Sequence, residues 1–313
     1  MNKCYLCNRT NISIIQDTLR WGIKRKVYKC NYCGFVFLDP VDVDLQHFYN
    51  DKYRSDYSPV LGKKLTNSEL FDINYPYQSK RIDKLNKYWL KKDSKVLDVG
   101  CSVGAFLTAV KPLCGETHGV EINKVEADYA RGLKHIIYDK IEDIPDGYFD
   151  IITMYQVLEH IKDPIEYLHT LKSKLNDFGI IVIEVPNLDD VLLNGFGDNK
   201  YKEFWFQNPH LYYFNQYTLQ RVMVSAGFRG TVYGMQYYNL SNHIHWLYEN
   251  RPQTSIHEGW GEVDFIEPYN SDLRYYTLNS WFRNMSEVYK EKLEELKLSS
   301  SLLYIGVADE REE

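Results

Sequence analysis

The sequence predicts an α/β fold: a doubly wound, mostly parallel sheet, with a small cysteine-bound module ahead of it. Three observations carry this. From residue 95 onward, short runs rich in Val and Ile alternate with amphipathic stretches. Strands that are apolar on both faces belong to a parallel sheet covered by helices. The run "VLDVGCSVGAF" (96–106) joins one such strand to a helix through Gly100-x-Ser-x-Gly104. Four of the six cysteines fall as Cys4-x-x-Cys7 and Cys30-x-x-Cys33, ahead of the alternating region.

Residues 1–40 form the first unit. Paired C-x-x-C knuckles in a reducing compartment read as a tetrahedral Zn2+ site rather than as disulfides, so Cys4, Cys7, Cys30 and Cys33 are its expected ligands. The 22 residues between the pairs suffice for a hairpin, and Gly34 permits a turn that aims backbone N–H groups at thiolate sulfur. So short a segment buries little core, and a structural metal contributes roughly 10–16 kcal/mol in small fingers. Four thiolates leave no open position, which excludes a catalytic metal. The module is expected to be a zinc ribbon, the alternatives being a redox dithiol or plain buried cysteines.

Residues 41–94 are polar and Tyr-rich and read as a connector with a helical lead-in. Ile82, Leu85, Trp89 and Leu90 share a helical stripe. Tyr53, Tyr57 and Tyr77 are candidates to reach an acceptor from this segment. The core spans 95–238, with strands at "KVLDVG", "THGVE", "KHIIY", "YFDIITMY" and "IIVIEV". Helices are expected at "GAFLTAVKPL", at "NKVEADYARG" closed by Gly132, and from Asp163-Pro164 to Gly179. Ile165, Leu168, Leu171 and Leu175 line the last of these. Residues 186–215 interrupt the pattern with an aromatic insert on the acceptor side. A helix "YTLQRVMVSAGF" and a strand "TVYGMQYY" follow. Residues 239–313 hold a helical insertion and the final strand "SLLYIGVA", expected as the antiparallel partner of "TVYGMQYY". The long helix near 272–297 is expected to bury Leu278, Trp281, Met285, Val288 and Leu296.

The chain has 313 residues and a formal net charge of −6. Mild acidity argues against a nucleic-acid partner, which asks for a basic face. "IKRKVYK" is a short basic patch of the kind a hairpin surface carries. No apolar run approaches the ~20 residues of a membrane span, and "MNKCYLCNRT" lacks a secretory apolar core. A cytoplasmic protein is expected. The 27 tyrosines suit pockets for polyhydroxylated ligands. His243 and His245 alternate, but a second metal site would need a third ligand the sequence does not offer.

Ligands of such sheets bind beyond the carboxyl ends of the strands. Gly100 to Gly104 follow the first core strand, Glu121 ends the second, 23 residues after Asp98, and Gln156 follows the fourth. A dinucleotide loop wants G-x-G-x-x-G. Here Ser102 and Ala105 hold the second and third glycine positions. An acid ending the second strand accepts ribose hydroxyls in dinucleotide and S-adenosylmethionine sites alike. S-adenosylmethionine has no phosphate and carries a sulfonium, so Asp98 and a loop without the third glycine suit it better.

The segments "VLDVGCSVGAF…GVEI…FDIITMYQVLEHIKDP…GIIVIEVPN" resemble class I S-adenosylmethionine-dependent methyltransferases over roughly 75–235. The cysteine module and "NPHLYYFNQYTL…AGF" resemble the zinc-module methyltransferases of bacterial sugar and natural-product pathways. The resemblance implies a Rossmann-like methyltransferase sheet. It implies that Asp98, Gly100, Cys101, Ser102 and Gly104 line the methionine and ribose part of the cofactor. Glu121 would take the ribose hydroxyls, Ile122 would pack on adenine, and Gln156 would sit by the methionine end. His210 matches the position used as base in sugar C-methyltransferases, and His160 follows the fourth strand near the methyl group. Where those enzymes carry a second His, this chain has Asn208, which favours O-methylation over C-methylation. The expected function is methyl transfer to a small-molecule acceptor, a nucleotide sugar or glycan precursor. The alternatives are C-methylation of a nucleotide-linked deoxysugar, RNA methylation, and a catalytically silent binding module.

Overall fold

A computed structural model describes residues 3–39, 60, 62–86, 89–195, 199–262, 264–266 and 272–309. Tyr53, Tyr57 and the rest of 41–59 lie outside the described residues. The strands are β1 (Ile12–Thr18), β2 (Lys24–Cys30), β3 (Val36–Leu38), β4 (Lys95–Val99), β5 (Glu116–Val120), β6 (Ile136–Tyr138), β7 (Phe149–Tyr155), β8 (Leu175–Pro186), β9 (Tyr212–Tyr213), β10 (Phe228–Met235) and β11 (Ser301–Ala308). The helices are α1 (Asn67–Asn74), α2 (Gln78–Asn86), α3 (Ala105–Val110), α4 (Lys124–Gly132), α5 (Pro164–Lys174), α6 (Val191–Asn194), α7 (Asn199–Trp205), α8 (Gln216–Ser225), α9 (Leu240–Glu249), α10 (Ile256–Trp260) and α11 (Leu273–Leu296).

The chain divides into two compact units. One, the ribbon unit, comprises Met1–Asp39, Pro186–Gln216 and Tyr233–Leu302. The other, the sheet unit, comprises Pro40–Val185, Tyr217–Val232 and Leu303–Glu313. The cysteine module, the aromatic insert and most of the C-terminal insertion thus fall in one unit, where the sequence reads three separate segments.

In the sheet unit the strand order is β10-β11-β8-β7-β4-β5-β6. The pairs β4–β5, β4–β7, β5–β6 and β7–β8 are parallel. The order reverses beside β4, which makes its carboxyl end the switch point where ligands bind. At the other edge, Asp309 N donates to Gly227 O and Ile305 O faces Gly230. Rising numbers on β11 meet falling numbers on β10, so the last strand is antiparallel, as expected. The core is Leu97, Leu107, Phe149, Ile151, Ile152, Ile181 and Ile183, all with no exposure. The branched side chains of the strand residues among them, Leu97, Ile151, Ile152, Ile181 and Ile183, fit a pleated surface buried on both faces.

The ribbon unit carries a four-stranded sheet, β1-β2-β3-β9, with every pair antiparallel. β3 pairs through Val36 with Tyr213 and through Phe37 with Tyr212. Leu19, Val27, Val36 and Leu38 therefore share a core with Trp205, Phe206, Tyr213 and Trp246. This supplies the apolar burial that the cysteine module alone lacks.

Several expected element ends and faces differ. α2 stops before Trp89 and Leu90, which are half-buried outside it. Gly132 lies within α4, and the left-handed residue that follows the helix is Lys134 (φ 68°). α5 ends at Lys174, and Gly179 lies inside β8. A Cβ at Gly179 would come within 2.8 Å of Phe149 O, so close strand approach explains it. Asp163 makes no side-chain capping bond, and Pro164 alone opens α5.

The largest correction is α11. Leu278, Trp281, Met285, Val288 and Leu296 are exposed, and Asn279, Ser286 and Leu293 form the buried side. The helix is held by specific hydrogen bonds. Asn279 Nδ2 donates to Ile266 O at 2.6 Å, and Leu240 N donates to Ser286 Oγ at 3.0 Å. A polar side chain with a buried partner can occupy a core face, which apolar periodicity cannot reveal.

Candidate functional site

The loop after β4 is shaped by backbone sterics. Gly100 (φ 73°) and Gly104 (φ 76°) lie in the left-handed region. A Cβ at Gly100 would come within 2.6 Å of Val157 Cγ2, and one at Gly104 within 3.1 Å of Ala130 Cβ. Of the three residues between them, Ser102 also has positive φ (50°). Its hydroxyl donates to Glu126 Oε2 at 2.6 Å, and its N–H donates to Glu121 Oε2 at 2.8 Å. A hydroxyl able to bond locally stands where bare backbone freedom would otherwise be needed. Cys101 is buried, and a Cβ at Gly119 would meet its Sγ at 2.5 Å. Cys101 thus packs the loop onto β5.

Glu121 leaves β5 with both oxygens engaged. Oε1 accepts from Asn123 N at 2.8 Å, and Oε2 takes Ser102 N–H. Ile122 beside it is 45% exposed, so a flat apolar surface is available next to the carboxylate. Asp98 is buried and accepts from Thr153 Oγ1 at 2.7 Å. Burial pushes its carboxyl up to about 7, against the pull of Thr153 and Arg81, and the Glu121 and Glu184 charges add to the rise.

Gln156 follows β7 at φ 60°. Its N–H donates to Glu184 O and its Nε2 to Glu184 Oε1, each at 2.8 Å. Glu184 is fully buried on β8 and also receives a bidentate bond from Arg81, Nε to Oε2 at 3.0 Å and Nη2 to Oε1 at 2.9 Å. The Arg81 guanidinium lies 4.1 Å over the Tyr155 ring. Sequence reading missed this Arg81–Glu184–Gln156 link. Its one local signal was an acid inside the otherwise apolar "IIVIEV". Asp98, Glu121 and Glu184 therefore converge at the carboxyl ends of β4, β5 and β8. Arg81 answers the charge of Glu184, which leaves Asp98 and Glu121 as the acidic balance, and that suits a cationic ligand better than a phosphate.

The two candidate bases fall in different units. His160 lies in the sheet unit, buried on a short 3-10 turn after β7. Its Nε2 is 3.8 Å from Glu159 Oε1. Glu159 is fully buried, and neither of its oxygens has a hydrogen-bond partner among the described residues. Burial pushes its carboxyl up to about 8, so it is held largely neutral at pH 7. His210 lies in the ribbon unit, buried, with its ring 6.0 Å from Tyr213. Asn208 is an anchor there. Its Oδ1 and O accept from Arg25 Nη1 at 2.9 and 3.0 Å. Tyr77 is half-buried. His243 is buried and bonded to Tyr289 Oη at 2.7 Å, which gives it a structural role.

The cysteine pairs fold into two matching knuckles. Asn8 N donates to Cys4 O at 2.8 Å, and Gly34 N to Cys30 O at 2.9 Å. Asn8 (φ 58°) and Gly34 (φ 74°) make the same left-handed turn. All four Sγ atoms lie within 4.8 Å of one another, with Cys4–Cys33 at 3.5 Å and Cys7–Cys30 at 3.6 Å. No disulfide links them. A tetrahedral zinc with Zn–S near 2.3 Å requires S···S spacings of about 3.8 Å, so the donor set fits.

Among the described residues, no helix is long and apolar enough to cross a membrane. The family described as "Methyltransferase domain" matches residues 73–232. A tRNA U34 carboxymethyltransferase of Helicobacter pylori (strain HPAG1) is 33% identical over 123 residues, covering 35% of this chain and 47% of the relative. The mitochondrial ubiquinone biosynthesis O-methyltransferase of Candida albicans is 27% identical over 197 residues, covering 59% of this chain and 52% of the relative. The chain thus spans about half the length of these curated relatives. Among solved structures, a phosphoethanolamine N-methyltransferase 2 of Haemonchus contortus bound to S-adenosyl-L-methionine superposes with a TM-score of 0.51 at 15% identity. It covers 88% of this chain and 62% of its own. A match over 73–232, on a doubly wound sheet with its glycine loop at the switch point, places the chain in the methyltransferase domain family, with the S-adenosylmethionine-dependent class I fold.

Proposed function

We propose that this methyltransferase moves a methyl group from S-adenosylmethionine to a hydroxyl of a small polar acceptor, a nucleotide sugar or glycan precursor. The observation that carries the cofactor reading is the convergence of Asp98, Glu121 and Glu184 around a loop that bare backbone lines at Gly100 and Gly104. Bound there, the cofactor supplies an electrophilic methyl group. Glu121, held by two backbone N–H groups, accepts the ribose hydroxyls, and Ile122 packs on the adenine. Asp98, Gly100, Cys101, Ser102 and Gly104 line the ribose and methionine part. Gln156, pinned by Glu184, orients the methionine end. Alignment of acceptor and methyl group accounts for most of the rate, since orientation can supply ~7–11 kcal/mol.

An acceptor hydroxyl must lose a proton, and His160 and His210 are the groups assigned to take it. O-methylation is favoured over C-methylation because Asn208 is committed to Arg25 and carries no titratable ring. Relatives named as ubiquinone O-methyltransferases agree with this. Cys4, Cys7, Cys30 and Cys33 hold a structural zinc, with four thiolates and no open position. One second reading has a specific observation behind it. The likeness to tRNA U34 carboxymethyltransferases favours an RNA acceptor.

Incubation with methyl-labelled cofactor, a panel of nucleotide sugars and total tRNA separates the two. Label in a nucleotide sugar supports the first reading, and label only in tRNA replaces it with the second. His210→Ala and His160→Ala are each expected to lower kcat by roughly 10²–10⁴-fold with cofactor affinity unchanged. A variant with full kcat would remove that histidine from the base role.

A further inference from the structure

We propose that the tip of the β1–β2 hairpin is a stacking site for the nucleobase of the acceptor, with Trp21 as its platform. This rests on the nucleotide-linked acceptor proposed above and adds where its base is held. Trp21 has φ 64° and ψ 20°, a left-handed backbone disfavoured for any residue with a Cβ and most of all for a bulky one. It is the one aromatic residue at positive φ among the described residues, the others being Asn, Ser, Lys, Gln and Gly. The turn itself does not call for tryptophan. Gly22 (φ 72°) follows it, and Leu19 N–H to Ile23 O at 2.9 Å closes the hairpin through backbone alone. Burial does not offset the strain either, since the side chain is 54% exposed. Backbone strain that a largely exposed side chain does little to offset concentrates at ligand sites.

The surroundings indicate the ligand. The Phe204 ring meets Trp21 edge-on, 83° between planes and 6.4 Å between centroids. The Arg20 guanidinium lies 3.7 Å over Phe204, and its Nε donates to Phe204 O at 2.6 Å. Trp21 therefore stands beside a fixed aromatic ring and a fixed cation. Between the flanking Asp17 and Asp39 the chain carries Arg20, Lys24, Lys26 and Lys29, besides the buried Arg25, and no acid, within a protein of net charge −6. Lys24 and Lys26 are exposed on one face of β2. A planar ring to stack and an anion to neutralise describe a nucleobase carrying phosphate. A nucleotide sugar and a single RNA strand share that chemistry.

Calorimetric titration of the full chain and of Trp21→Gly with uridine diphosphate, thymidine diphosphate and a single-stranded oligouridylate tests this. Trp21→Gly is expected to bind a diphosphate about tenfold or more weaker while its melting temperature rises, because the strained backbone is relieved. Trp21→Phe should keep binding within a few-fold and show no such rise. If Trp21→Gly binds the diphosphates as the parent chain does, the platform is overturned and the nucleotide-sugar reading stands. If only the oligouridylate binds, and Trp21→Gly weakens it, the platform stands with RNA as the source and the nucleotide-sugar reading falls. If the parent chain binds no probe, both fall.

Discussion

Asp98→Asn is expected to weaken S-adenosylmethionine binding on the order of 10- to 100-fold, the loss typical of a buried charged partner. The side chain keeps its shape and can still meet Thr153, so the loss reports charge rather than packing. The same residue sets a pH dependence. Its folded carboxyl stands at about 7 against an ordinary 3.8, chiefly through burial. A cationic ligand favours the ionised form. Affinity should therefore rise as pH increases from about 6 to 8, level off above that, and lose this dependence in Asp98→Asn. The stability of the ligand-free protein moves the other way. A raised folded pKa means the native state binds the extra proton, so this group's contribution is fully present below the unfolded value and lost as pH rises through about 7. Titration calorimetry at three pH values checks the first effect, and thermal melts of parent and variant check the second. Affinity in Asp98→Asn equal to the parent's would remove the carboxylate from the cofactor site.

Loss of the zinc proposed at the four cysteines should have the larger structural effect. Purified protein is expected to hold about one zinc per chain, and Cys30→Ser to lose it. Structural zinc contributes roughly 10–16 kcal/mol, more than the whole stability of most domains. The core beneath the knuckles is not local. Val27 and Val36 share it with Trp205, Tyr213 and Trp246, so unfolding should spread through the ribbon unit and take His210 with it. The cofactor loop lies wholly in the sheet unit. Chelation should therefore abolish methyl transfer and leave S-adenosylmethionine binding in place. Metal analysis with parallel melting and binding curves tests this. A protein that carries no zinc and melts unchanged after chelation would contradict it.

The parts legible in the sequence were those written in short-range chemistry. Apolar runs such as "KVLDVG" and "IIVIEV" mark strands covered on both faces, and Gly100 and Gly104 mark a turn that only backbone sterics explain. Paired knuckles four residues long bring four sulfurs together without any knowledge of the fold. What remained hidden depended on distant partners. Arg81 and Glu184 are 103 positions apart, and neither segment signals the other. Glu159 looks like an ordinary acid until its full burial, with no hydrogen bond to its carboxyl among the described residues, is seen. The α11 face was misread because its buried residues, Asn279 and Ser286, are polar and earn their place through hydrogen bonds. β9 joins the cysteine module to the 186–216 segment through two paired positions, Val36 with Tyr213 and Phe37 with Tyr212, some 175 positions apart.

The most direct test is a calorimetric titration of the full chain with S-adenosylmethionine and, separately, with NAD. The loop and acids at the end of β4 should take up one S-adenosylmethionine per chain and show no heat with NAD, whose pyrophosphate Asp98 and Glu121 would repel. Silence with S-adenosylmethionine, or saturable binding of NAD in its place, would contradict the account.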